Sequence, residues 1–144
     1  MDRNNYNIVI ADDDNDDQFF VKEAISKIDR TPNLISVFNG CQLLDLLHKR
    51  GNYTGTLSGK PDLVLLDLNM PVMDGFNALA QIKKDEVLKD IPVYIFTTSR
   101  RENDRKACEL LGADDFYSKP SELAKLQSVI REILSKALRI NAHA

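Results

Sequence analysis

Strict alternation of two hydrophobic periods predicts a doubly wound α/β domain, in which five parallel strands alternate with five helices through right-handed crossovers. The first observation is a set of apolar runs of strand length: Asn7 to Ala11, Leu34 to Phe38, Leu63 to Asp67, Val93 to Thr97 and Asp115 to Ser118. The second is what lies between them, stripes of apolar residues three or four apart that suit one face of a helix. The third is that "LVLLD" and "VYIF" are apolar at nearly every position, as strands covered on both faces require.

In chain order, "NIVIA" leads into a helix with the stripe Phe20, Ala24 and Ile28, and "LISVF" precedes the stripe Leu43, Leu44 and Leu47. "GNYTGTLSGK", Gly51 to Lys60, is the only long loop-like stretch and separates the second helix from the third strand without marking a domain boundary. "LVLLD" precedes the stripe Phe76, Leu79 and Ala80, and Gly75 after Asp74 permits the tight loop before it. After "VYIFT" come Ser99 and Glu102, spaced as an S-x-x-E capping box, and the stripe Ala107, Leu110 and Leu111. "DFYS" is followed by the longest stripe, Leu123, Leu126, Ile130, Ile133 and Ala137, and then only by "INAHA". One domain over residues 1–144, with a core over about 6–139 and no output domain, is the expectation.

Composition narrows the function classes. At 43% hydrophobic and 28% charged residues the chain is globular, and a net charge of -3 with scattered basic residues speaks against a nucleic-acid partner. No apolar stretch reaches the ~18 residues of a membrane helix, and Ile8 to Ala11 is too short for a signal peptide, so a cytoplasmic protein is expected. Cys41 and Cys108 are isolated thiols without metal spacing and read as small buried side chains.

Open parallel sheets bind ligands beyond the C-terminal ends of their strands. Here those ends carry Asp12 and Asp13, then Asp67, then Thr97, and the fifth strand runs into Lys119. Three carboxylates held together repel unless a cation or burial compensates. Asp16 and Asp17, further into "ADDDNDD", read as acids at the positive end of a helix.

This set, carried by "IVIADD", "LVLLDLNMPVMDG", "IPVYIFTTS" and "GADDFYSKP", resembles the receiver domain of two-component response regulators over residues 6 to 139. The resemblance implies a flavodoxin-like sheet of order 2-1-3-4-5. It implies that Asp67 accepts a phosphoryl group, that Asp12 and Asp13 help hold Mg2+, with Asp13, Asp67 and the backbone carbonyl of Asn69 as its ligands and Asp12 acting through a water, and that Thr97 and Lys119 contact the phosphoryl oxygens. That donor set suits magnesium, which takes oxygen ligands and pairs one or two carboxylates with a phosphate. The Lys119–Pro120 bond is expected to be cis, which costs a prolyl bond only about 0.5–1 kcal/mol. Thr97 and Phe116 form the expected switch: the hydroxyl is drawn towards the phosphoryl group and Phe116 turns inward, with an inward bias even beforehand. Thr98 takes a position where the family usually has something smaller.

The implied partners are a sensor histidine kinase or a histidine phosphotransfer protein, a downstream protein target and a possible homodimer, reached through the fourth helix, fifth strand and fifth helix. Loop 51–60 is similar to that of stand-alone receivers associated with phytochrome-type kinases. Two rivals are weaker. A calcium loop matches Asp12, Asp14, Asp16 and Glu23 but finds Asp17 in place of glycine and a strand in place of its entering helix. A phosphatase of the haloacid dehalogenase type places its nucleophile first and its acidic pair last, with a second aspartate two places after the nucleophile. Here the pair comes first and Asn69 fills that second place, leaving no strong base to turn over a phosphoenzyme. A phosphoacceptor switch rather than an enzyme is expected.

Overall fold

A computed structural model describes residues 6–28 and 32–139. The strands are β1 (Asn7–Ala11), β2 (Asn33–Val37), β3 (Leu63–Leu66), β4 (Val93–Thr97) and β5 (Asp115–Ser118). They form one parallel sheet of order β2-β1-β3-β4-β5. The helices are α1 (Asn15–Ser26), α2 (Gly40–Leu47), α3 (Gly75–Lys84), α4 (Glu102–Leu110) and α5 (Leu123–Leu138). The doubly wound order expected from the sequence is therefore present. The tail from Ile140 to Ala144 lies outside the described residues.

Strand side chains alternate between the two faces. Val9, Ala11, Val64, Leu66, Val93 and Ile95 pack into one core with α2 and α3 and with Cys108 of α4. Ile8, Ile10, Leu63, Leu65, Tyr94 and Phe96 pack into the other with α1 and α5. Two wet-side-free faces explain why β3 and β4 are apolar without interruption, while the edge strands β2 and β5 are only half-buried.

Local expectations fared less evenly. The expected stripe of α1 faces the core, with Ala24 and Ile28 buried and Phe20 half-buried against it, and the helix also buries Gln18, Val21 and Ile25, with Ile28 just beyond its end. α4 buries Cys108, while Leu110 is 89% exposed. Its capping box does not form: the helix begins at Glu102, so Ser99 lies too far upstream to cap it and donates to the Asp104 carboxylate instead, at 2.6 Å. The stretch 51–60 holds a 3-10 turn at Gly51–Tyr53, and Leu57 reaches the α2–α3 core. Burial pushes the Cys108 thiol up to about 11, as expected of an inert packed cysteine; Cys41 is half-buried.

Candidate functional site

β1 ends in Ala11, and the next residue begins a chain of local hydrogen bonds. Asp12 Oδ1 accepts the Asp14 amide at 3.0 Å, and Asp14 in turn is the N-cap of α1, accepting the amides of Asp16 and Asp17 at 2.8 and 3.0 Å. Most of the acidic run therefore has structural work. The calcium-loop geometry is absent, because Asp14 is spent on capping and the described residues able to hold a metal ion together are Asp12, Asp13 and Asp67.

Gln18 fixes this corner from below. Buried in α1, its amide nitrogen donates to the carbonyls of Ile10, Asp12 and Val37 at 3.0–3.1 Å, while its oxygen accepts the Ser36 hydroxyl at 2.8 Å. One side chain thus ties the ends of β1 and β2 to the helix. Sequence reasoning passed over it because a polar residue hid the start of the buried stripe.

Asp67 follows β3, its amide donating to Ala11 at 2.9 Å and its Oδ1 accepting the Leu68 amide at 2.8 Å. Gly75 packs directly behind it: a Cβ there would collide with the Asp67 carbonyl and come within 2.7 Å of the Leu68 Cα. Gly40, which the sequence did not single out, is needed in the same way against Met73.

The ligating oxygens of Asp12, Asp13 and Asp67 lie within 4.8 Å of one another. Asp12 and Asp67 are 4% and 7% exposed, Asp13 is exposed, and Asn69 stands exposed in the following loop. Lys119 enters from β5, its side chain 8% exposed, and donates to Asp12 at 2.6 Å, to Asp17 at 2.8 Å and to Asp67 at 3.4 Å. Burial alone pulls the Lys119 ammonium down, but its bonds to Asp12 and Asp17 and the charge of Asp67 hold it above the ordinary lysine value. Burial pushes the Asp12 carboxyl up to about 6, against the pull of Lys119 and the Asp14 amide.

Thr97 closes β4, fully buried; its hydroxyl accepts the Ser99 amide at 3.4 Å, and its carbonyl accepts the Lys119 amide at 2.6 Å. Thr98 is exposed in the following loop. Phe116 is half-buried, packed against the α2–α3 core on one side and bordering a cleft with Arg100, Arg105 and Ser118 on the other. The cis bond expected before Pro120 is not found: no described peptide bond is cis. The Lys119–Pro120 bond is trans, the isomer that prolyl bonds ordinarily favour, and it follows directly on the pairing of Thr97 with Ser118. Asp17, read from sequence as a solvated helix acid, proves to be a Lys119 partner from 102 residues away.

A parallel sheet of this order with carboxylates at the ends of β1 and β3 and a lysine after β5 defines a receiver. The response regulator receiver domain model matches residues 8–131, and the chain belongs to that family, the receiver domains of two-component systems. Among its relatives is the response regulator Rcp1 of Synechocystis sp., 34% identical over 128 residues that make up 89% of this chain and 86% of Rcp1. The crystal structure of the phosphorylated cyanobacterial phytochrome response regulator RcpA superposes with a TM-score of 0.88 at 29% identity, over 97% of this chain and 99% of that one. The Mn2+-bound form of Rcp1 gives 0.83 at 32% identity, over 96% and 99%. No helix among the described residues is long and apolar enough to cross a membrane.

Proposed function

We propose that this chain is a cytoplasmic phosphoacceptor switch: Asp67 takes a phosphoryl group, in a Mg2+-dependent reaction, from a histidine of a sensor kinase or phosphotransfer protein. The phosphorus–nitrogen bond of the donor breaks as a carboxylate oxygen of Asp67 bonds to phosphorus, giving an acyl phosphate and a free imidazole. The observation that carries the reading is the buried Lys119 ammonium lying 2.6 Å from Asp12 and 3.4 Å from Asp67, beside a three-carboxylate cluster.

The residues fit the cation. Asp12, Asp13 and Asp67 offer the hard oxygen donors that magnesium requires, and the Asn69 backbone carbonyl in the following loop is assigned as a further one. A divalent ion held by these residues would supply charge neutralisation for the phosphoryl oxygens. Lys119, bonded to Asp12 and near Asp67, supplies a second positive charge, and the Thr97 hydroxyl is the donor available at the end of β4.

The signal then leaves through α4, β5 and α5, with Thr97 and Phe116 as the moving parts, towards a downstream protein or a second copy of the chain. The half-buried position of Phe116, between core and cleft, supports that reading. The resemblance to phytochrome response regulators supports a phytochrome-type kinase as the donor. A role as switch rather than turnover enzyme is supported by the exposed, uncharged Asn69 where a phosphatase would need a base. Intact-mass spectrometry with a small phosphodonor and Mg2+ tests the proposal: one added phosphoryl group is expected, and none in Asp67→Asn. Rapid release of inorganic phosphate from a phosphomonoester would instead favour the phosphatase.

A further inference from the structure

The geometry points to Asp17 as a positioning residue that holds the Lys119 ammonium back from the oxygens of Asp12 and Asp67 needed by a divalent cation. The inference rests on the reading of Asp12, Asp13 and Asp67 as the cation site. Its basis is a closed ring of contacts: Asp14 N donates to Asp12 Oδ1, Asp17 N donates to Asp14 Oδ1, and Lys119 Nζ donates to both Asp17 Oδ2 and Asp12 Oδ2, at 3.0, 3.0, 2.8 and 2.6 Å. The helix cap therefore places Asp17 where it meets the lysine.

A buried ammonium among three carboxylates divides its attraction among them. Asp12 and Asp67 are in the group that can bind a cation, while Asp17 is not. When a cation arrives, Lys119 must yield part of its hold on the two shared residues, and Asp17 is the one partner it can keep. Without the Asp17 charge, Lys119 is drawn harder onto Asp12 and Asp67 and competes with the cation. Asp16 supplies an internal control: it carries the same charge in the same helical turn and shares the Asp14 cap, yet the lysine contacts Asp17.

Groups bonded directly to a metal ligand typically change affinity by about 10–100-fold when removed. Asp17 acts one step further out with its side chain 37% exposed, so about 3–10-fold is expected. The experiment is calorimetric titration of the metal-free full chain with Mg2+, with folding followed by thermal melting. Asp17→Asn should weaken Mg2+ binding by about 3–10-fold, Asp16→Asn by less than about twofold, and Asp17→Glu should recover part of the loss. In the Lys119→Met background the two asparagine variants should become equal, since only the general field of a carboxylate is then lost. Asp17→Ser carries the same expectation should Asp17→Asn fold poorly. Equal effects of Asp17→Asn and Asp16→Asn with Lys119 present, or a loss at residue 17 that persists without Lys119, would overturn the inference. Failure of the unsubstituted protein to bind Mg2+ at all would instead bring down the cation-site reading, and this inference with it.

Discussion

Lowering the pH from 7.5 to 5 should weaken divalent-cation binding by about tenfold through Asp12 alone. Burial pushes that carboxyl from the ordinary 3.8 up to about 6. At pH 7.5 nearly every metal-free molecule then carries the Asp12 charge, and at pH 5 only about one in ten does. Cation binding needs the carboxylate and so releases a proton, which makes affinity rise with pH through 6 and level off above it. A carboxyl left at 3.8 would be more than nine-tenths ionised even at pH 5 and would give almost no change. The assay is calorimetric titration with Mg2+ at pH 5, 6, 6.8 and 7.5, in buffers of different ionisation enthalpy so that proton release is counted. A flat profile over that range, or one that Asp12→Asn leaves unaltered, would refute the reasoning. For folding of the metal-free protein the sign reverses: between 3.8 and about 6 the native state holds the proton that the unfolded state has lost. Stability therefore declines as pH rises through that window, by an amount on the order of 2 kcal/mol, and melting curves without Mg2+ would show it.

Gly75→Ala should destabilise the fold by about 2–3 kcal/mol, because the new methyl meets the backbone of Asp67 and Leu68; urea denaturation measures it. Gln18→Ala should cost about 2–4 kcal/mol by stripping partners from buried carbonyls, with most of the loss remaining in Mg2+. Val72 sits at φ 65, a left-handed conformation that a β-branched residue resists, so Val72→Gly should stabilise by about 0.5–1 kcal/mol; an unchanged denaturation midpoint would show that the strain is absent.

The sheet was legible because burial on both faces writes itself into β3 and β4 as unbroken apolar runs, and two such strands leave little choice of architecture. Convergence of Asp12, Asp13, Asp67 and Lys119 was legible for a related reason: strand ends in a parallel sheet share one edge whatever their separation along the chain. What escaped notice was decided by contacts that local pattern does not encode. The Asp17 contact depends on where a lysine 102 residues later arrives. Gln18 is buried through hydrogen bonds rather than apolarity, so the hydrophobic pattern of α1 does not reveal it. In α4 the expected stripe is split: Leu111 packs against the core and Ala107 is half-buried, but Leu110 faces solvent, and the fully buried side chain of the helix is Cys108. The expected capping box failed by position, with Ser99 taken up by Asp104 before the helix begins.

The two close-packed glycines bear on which part of the molecule is free to respond when charge is added at its upper edge. Gly75 and Gly40 press the backbone of Asp67, Leu68 and Met73 against neighbouring helices with less room than one methyl group. That side behaves as an anvil. Room for movement is therefore lacking on the α2–α3 side, whereas at the end of β4 the Thr97 hydroxyl meets the Ser99 amide over a long 3.4 Å.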